Sequence, residues 1–473
     1  MTAGVCHNWK ILPVVAAMSI VSVVSPATPM MTDLKIPNVP DSIVDIKGDA
    51  AECPHCCLPF AFFSSPVLKT NLLMSRNACF IIACFALATV ASAACTGHEV
   101  DQYSVPIGES LLDMGDYWNQ MLYGVVSRGV EQANKNIAAE KNSWLPDLGE
   151  TRLARQQSPA ALAKCVRQQL PSALSLIENV EDSLEATNYR DVTSGRRLAY
   201  RAEKEESVYL HGPGVPDPRH YNRLLFMRCS TIKVHGHYFG TDKIGHFFAM
   251  GYHYYSAYQA ARLMGQTHEL AMQKAADVCG WVTESSFLGI TSTGIYSNAD
   301  MATNYTGLKF YLNLTQPVKL QGHMVPAMVV RKGEYWKLRE HFSVESPLFA
   351  QYVSVHWDEV LNPCYLDETV RAPARRAIKS RSRQLLDWYA GNDSRRRTRA
   401  YFDNILKHCT TYYGENYGHS GDVEWLLGLG TLCFDTATAP VDDPVVRGNR
   451  PSLRWSETPR RPSVRAASNS FRH

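Results

Sequence analysis

The sequence predicts a mainly α-helical, multi-helix globular domain, with a polar-centred helical hairpin, a third helix beside it and a small β-hairpin. Three observations predict it. Apolar residues recur at helical spacing in several long stretches between residues 96 and 440. Composition is that of a globular chain, 45% hydrophobic and 20% charged over 473 residues, which excludes a chain disordered throughout, a collagen-like repeat and a coiled coil. Chemistry-bearing residues from Asp242 to Gly307 stand at one-turn spacings inside those helical stretches.

The elements follow in order. Ser110 to Ala138 carries Leu112, Trp118, Met121, Leu122, Val125 and Val126 at near-helical spacing. Ser158 to Ala186 is helical with a break at Pro171, since proline removes a donor and clashes with the preceding turn. Residues 187–230 read as irregular, punctuated by Gly212-Pro213-Gly214 and Pro216. Asp242 to Met264 is an aromatic helix with Thr241 as its N-cap. His268 to Leu288 and Asn298 to Leu312 follow as its partners, and short links favour antiparallel neighbours. Val329 to Leu338 alternates about Lys332-Gly333 as a hairpin. Pro373 to Tyr389 and Arg396 to Tyr413 are basic amphipathic helices, and Glu424 to Phe434 closes the fold. The tail at 441–473 is basic and rich in Pro, Ser and Arg, with little to bury, and reads as disordered.

Length alone suits two to three domains, but the amino terminus takes up much of it. Ile11 to Val24 and Ala78 to Val90 are apolar runs of signal-peptide length, too short to span a bilayer. No run of 18 uncharged apolar residues occurs, which excludes a multi-span membrane protein. The second run follows Met74 and Arg76 and ends in the small residues Ala91-Ser92-Ala93, the pattern of a cleavable signal. Residues 1–73 then read as an upstream extension with little structure, 74–93 as a signal peptide and 96–440 as one exported helical domain. Cys95 stands where a lipidated cysteine would become the first mature residue. Ser92 stands where lipoprotein signals carry a branched aliphatic residue, so plain secretion and lipid anchoring are both carried forward. Export to an oxidising compartment predicts at least one disulfide among Cys165, Cys229, Cys279, Cys364, Cys409 and Cys433. Cys53-Pro-His-Cys56-Cys57 has the look of a metal or redox fragment but lies in the extension.

Asp242 and His246 are four apart and His253 seven further, so all three share one helix face. A first-turn carboxylate is favoured by the helix dipole and can orient an imidazole one turn on. Glu284 falls near the end of the next helix. Ser297 to Asp300 resembles a capping box, and Asn304 and Gly307 follow Asp300 at four and seven residues. The order Asp-Lys-x-x-His-Phe, then Glu, then Asp-x-x-x-Asn-x-x-Gly resembles the VanZ-like family. It is also similar to small envelope lipoproteins of unknown function that share the Asp-Lys-x-x-His-Phe start. The matching positions are Asp242, Lys243, His246, Phe247, Glu284, Asp300, Asn304 and Gly307, over about 70 residues. The resemblance implies a helical hairpin with a polar centre. VanZ-like segments are membrane helices, whereas here Gln273, Lys274 and Asp277 argue against insertion. No reaction carries over from either group.

Three readings of this cluster stay open. His246, Glu284 and Asp300 could ligate a divalent metal, with His253, His235 or His237 adding to the set; imidazole with carboxylates suits zinc, iron or manganese, and an open position would activate water. His246 with Asp242 or Glu284 could act as a metal-free acid–base pair. Or Asp242, Lys243, His246, Glu284, Asp300 and Asn304 are buried groups that hold three helices by bonding one another. Function divides accordingly: a non-enzymatic envelope scaffold or lipid-anchored protein, or a metal-dependent hydrolase acting on an envelope component.

No nucleotide-binding loop, dinucleotide fingerprint, Gly-x-Ser-x-Gly or His-Glu-x-x-His is present. A net charge of +3 gives no reason to expect nucleic acid. Ten Arg or Lys against two Asp between Arg371 and Arg399 suit either a solvated helix face or contact with anionic lipid or envelope polymer.

Overall fold

A computed structural model describes residues 98–434, apart from 106, 143–145, 204–205, 210–226, 285–288, 290–292, 367, 393–396 and 414–425. The expectations for the extension, the signal segment, Cys95, the Cys53–Cys57 fragment, the Gly212–Pro216 turns and the basic tail lie outside these residues.

The described chain is mainly α-helical with a few short strands. In order they are β1 (His98–Val100), α1 (Gly115–Lys141), α2 (Pro146–Gln156), α3 (Pro159–Arg167), α4 (Ala173–Ala186), β2 (Ala199–Tyr200), β3 (Met227–Cys229), β4 (Thr231–Val234) and β5 (His237–Gly240). Then come α5 (Asp242–Gly245), a π-helical turn (His246–Met250), α6 (Gly251–Leu263), α7 (His268–Glu284), β6 (Ile295–Tyr296) and α8 (Asn298–Asn313). Two hairpin pairs follow, β7 (Val318–Leu320) with β8 (His323–Val325) and β9 (Val329–Lys332) with β10 (Tyr335–Leu338). The chain closes with β11 (Cys364–Leu366), α9 (Glu368–Asn392), α10 (Arg399–Tyr413), β12 (Leu426–Leu427) and α11 (Leu429–Phe434).

Helix α1 buries Trp118, Leu122, Val125, Val126, Ala133 and Ile137, the face its apolar spacing predicts. Each fully buried large side chain stabilises by about 1.5–3 kcal/mol. Gly129 lets α3 approach, since a Cβ there would meet Val166 Cγ2 at 2.5 Å. The Pro171 break is real: α3 ends at Arg167, and α4 starts after Ser172, whose hydroxyl accepts from Ser175 N at 3.1 Å. The expected hairpin is β9–β10, turning at Gly333 with φ +64°. It docks on α1 through Asn134, whose side chain donates to Trp336 O (2.9 Å) and accepts from Trp336 N (2.8 Å).

Sheets are small. The three-stranded sheet β2-β4-β5 and the sheet β12-β11-β6 are antiparallel, whereas β1 pairs with β3 in parallel. The segment expected to be irregular, 187–230, therefore supplies two strands. The closing helix expected from Glu424 is instead β12 followed by the six-residue α11, with Gly428 between them.

The long helix expected from Asp242 is helical throughout but changes type. One π turn separates α5 from α6, and such turns are inserted residues that re-aim the side chains around them. Helices α6 and α8 pack closely because both carry glycine where they touch. A Cβ on Gly251 would lie 2.5 Å from Gly307 Cα, and one on Gly307 would collide with the Phe247 carbonyl oxygen. Phe247 and Phe248 are buried beside them, and Phe247 meets Phe310, Phe349, Tyr352 and Trp357 ring to ring.

Among the described residues no disulfide is present. Cys165 accepts from Asn136 Nδ2 at 3.4 Å, Cys364 donates to Ser297 Oγ at 3.9 Å, and Cys433 donates to Ser382 O at 3.7 Å. These thiols sit on separate elements, each with its own neighbours. The side chain of Cys409 lies outside the described residues.

Candidate functional site

The centre of the site is an ammonium. Lys243 Nζ lies 2.5 Å from Asp300 Oδ1, 2.6 Å from Glu359 Oε1 and 2.7 Å from Asp242 Oδ2, and all four side chains have no solvent exposure. An ammonium has three N–H donors, and three carboxylates meet it here. Burial opposes the charge on Lys243, but Asp242, Asp300 and Glu359, with Glu99 behind them, outweigh it and raise its pKa well above the ordinary value.

Short elements deliver these groups. Asp242 and Lys243 open α5 directly after β5, so the strand end fixes where both side chains start. Thr241 is not the expected N-cap. Its backbone is already helical at φ −60°, ψ −25°, and its hydroxyl donates to Glu181 of α4. Glu181 also accepts from Ser230 N (2.8 Å) and Ser230 Oγ (2.6 Å), tying α4 to the β4–β5 sheet under the site.

Asp300 stands in the first turn of α8, where the helix dipole favours its charge. Ser297 caps that helix as the sequence suggests, accepting from Asp300 N at 3.1 Å. The reciprocal half of the capping box is absent, because the Asp300 carboxylate turns to Lys243 and His246 instead. Ser297 Oγ donates to Glu359 Oε1 at 2.8 Å, so the cap belongs to the same network.

His246 opens the π turn. Its Nε2 lies 3.2 Å from Asp300 Oδ2, and its Nδ1 donates to Asn304 Oδ1 at 2.9 Å. Asn304 is fully buried and donates in turn to the Tyr254 hydroxyl at 3.5 Å. With 11% of its side chain exposed, His246 is the member of this group that reaches solvent.

Glu284, the last residue of α7, is fully buried. Its Oε2 accepts from Ser297 N at 3.2 Å. Burial first, then the charge of Asp300, push its carboxyl well above the usual range.

Asp242, Lys243, His246, Asp300 and Asn304 thus meet in one network, and Glu284 borders it through Ser297. For a metal, the groups that converge differ from the expected ones. Ligand atoms of Asp242, His246 and Asp300 lie within 4.8 Å of one another, and no such group among the described residues includes Glu284. The further histidines do not join it. His235 sits at the β4–β5 turn with φ +49°, its Nε2 3.2 Å from Asn119 Oδ1. Asp113 accepts from the backbone N–H of both His235 and Gly236 at 2.7 Å and so fixes that turn. His237 is the first residue of β5, paired with Val234. His253 lies beyond the π turn beside Arg167, where burial lowers its pKa to about 4.

Two members escape sequence reasoning. Glu99, in the middle of β1, and Glu359, two residues after Trp357, are both fully buried. Burial, only partly offset by Lys243, pushes Glu359 up to about 7. Burial and then the charges of Glu359 and Asp300 push Glu99 well above the usual carboxyl range. One signal was available: Glu359 lies in the run Trp357-Asp-Glu-Val-Leu361, acidic residues inside an apolar stretch.

No family model, no curated protein and no solved structure matches this chain.

Proposed function

We propose that this chain is an exported cell-envelope protein that works as a folded scaffold, with the Lys243 cluster serving the fold rather than a reaction. One observation carries this reading: the Lys243 ammonium donates to Asp242 and Glu359 and lies against Asp300, and none of the four side chains has solvent exposure. A substrate reaches such groups only by opening the helices they join. Breaking a buried ion network of this kind by removing one partner costs about 3–5 kcal/mol, the signature of a structural role. Export rests on the signal pattern at 74–93, with Cys95 as the candidate lipid anchor. The likeness to VanZ-like and envelope lipoprotein sequences points to the same compartment. Among the described residues no helix is long and apolar enough to cross a membrane, so attachment would come through Cys95 or through the basic stretch Arg371–Arg399 on anionic lipid or envelope polymer.

A second reading has one observation in its favour. His246 reaches solvent and shares Asp300 with the cluster, and Asp242, His246 and Asp300 converge closely enough for a divalent metal. That set would suit a metal-dependent hydrolase acting on an envelope component.

Envelope fractionation with N-terminal sequencing, followed by unfolding of a His246→Ala variant, tests the proposal. A mature chain that starts at Ala94 or Cys95, with the variant clearly less stable, supports it. A cytoplasmic product beginning at Met1 contradicts export. A variant of unchanged stability that has lost a hydrolytic activity of the parent contradicts the scaffold role.

A further inference from the structure

Five carboxyl groups, Glu99, Asp242, Glu284, Asp300 and Glu359, are fully buried around one ammonium and one imidazole. Lys243 takes one oxygen each from Asp242, Asp300 and Glu359. Asp242 Oδ1, Glu359 Oε2 and Glu99 Oε2 are buried with no hydrogen-bond partner. Unpaired buried acceptors of this kind are costly, and three on neighbouring carboxyls call for a common partner.

We infer that Glu99, Asp242 and Glu359 hold one hard divalent cation, calcium or magnesium. Each offers one carboxylate oxygen, and the three oxygens lie within 4.8 Å of one another. An all-oxygen, anionic ligand set selects hard cations over zinc or copper. The cation supplies the positive charge that the cluster lacks.

The three ligands come from parts of the chain that are far apart in sequence and held by backbone bonds. Glu99 is set by the parallel pairing of β1 with β3, Asp242 by its place after β5. Glu359 N donates to Gln102 Oε1 at 2.9 Å, and Tyr103 OH donates to Glu359 O at 3.2 Å, so the segment after β1 fixes the Glu359 backbone. Gly240 keeps the space open, since a Cβ there would run into Asp242 Oδ1. The cation would therefore cross-link β1, α5 and the 355–362 segment. The inference stands beside the scaffold reading and does not rest on it, because a catalytic cluster would carry the same triad.

The mature chain, stripped with EDTA and repleted separately with Ca²⁺, Mg²⁺, Mn²⁺ or Zn²⁺, tests it by equilibrium dialysis and thermal melting. One equivalent of Ca²⁺ or Mg²⁺ should bind and raise Tm by several degrees, with a smaller effect from Zn²⁺. Glu99→Gln, which keeps the Lys243 contacts, should lose that rise, and Glu284→Gln should keep it. The stoichiometry on the unaltered chain stands even if Glu99→Gln fails to fold. Absence of stoichiometric Ca²⁺ and Mg²⁺ with an unchanged Tm overturns the inference. So does a rise that survives Glu99→Gln but disappears in His246→Ala, which would place the ion with His246 and Asp300. Neither result bears on where the mature chain begins or on its export.

Discussion

Lys243 Nζ and Asp300 Oδ1 are 2.5 Å apart with both side chains sealed from solvent, so the first turn of α5 and the first turn of α8 are joined by a buried ion pair. In water such a pair is worth little. Inside the protein its electrostatic attraction grows, and the cost of leaving one partner alone grows with it. The Asp300 carboxylate uses its other oxygen on His246, so the pair extends to the surface through one imidazole.

His246→Ala removes the hydrogen bond to Asn304 and the close contact with Asp300, and leaves Asn304 Oδ1 without its donor. Urea unfolding should show a loss on the order of 1–3 kcal/mol, the cost of unsatisfied buried acceptors. A change within about 0.5 kcal/mol, typical of surface positions, would mean that the imidazole does not hold the cluster.

Gly307→Ala tests the close approach of α6 and α8. The new methyl group would run into the Phe247 carbonyl oxygen inside the π turn. Overpacking of this kind costs about 1–3 kcal/mol, whereas alanine in an open helix position would stabilise slightly. Thermal melting decides the sign, and a raised Tm would contradict the packing described.

Acid sensitivity should come in part from His356. Burial, helped by His408, lowers its pKa to about 4, while its Nε2 donates to Ile405 O at 3.0 Å. The unfolded ring titrates near 6.5, so between those values the unfolded chain binds more protons than the folded one. Stability is complete above about 6.5 and falls as pH drops toward 4, by an amount on the order of 3 kcal/mol. His356→Gln, which can keep the bond to Ile405, should flatten this part of the stability curve between pH 7 and 4.5. An unchanged slope would assign the acid loss to other groups.

Thiol titration of the denatured, unreduced protein should recover Cys165, Cys229, Cys364 and Cys433 as reactive thiols. Burial raises the pKa of all four, which protects them in the native state. Their recovery as disulfides would show that oxidation reshapes the fold.

Much of the helical frame was legible because it obeys local rules. Pro171 breaks a helix wherever it falls, Gly333 turns a hairpin, and the stripe from Trp118 to Val126 needs a core. The spacing of Asp242, His246, Asp300 and Asn304 likewise marked a shared polar centre. What the spacing hid was long-range. Glu99 and Glu359 reach Asp242 only through β1 pairing and the 102–103 backbone bonds, which no local pattern announces. Thr241 misled because its hydroxyl had a better acceptor in Glu181, and His253 because the π turn breaks the simple helical period.

A double-mutant cycle on Lys243→Met and Asp300→Asn, followed by urea unfolding, tests most directly whether the buried cluster holds the fold. Each single change should cost about 3–5 kcal/mol by stranding its partner. The double variant should cost clearly less than their sum, with a coupling energy on the order of 2 kcal/mol. Single variants within about 0.5 kcal/mol of the parent, or strictly additive losses, would contradict a structural role for the Lys243 network.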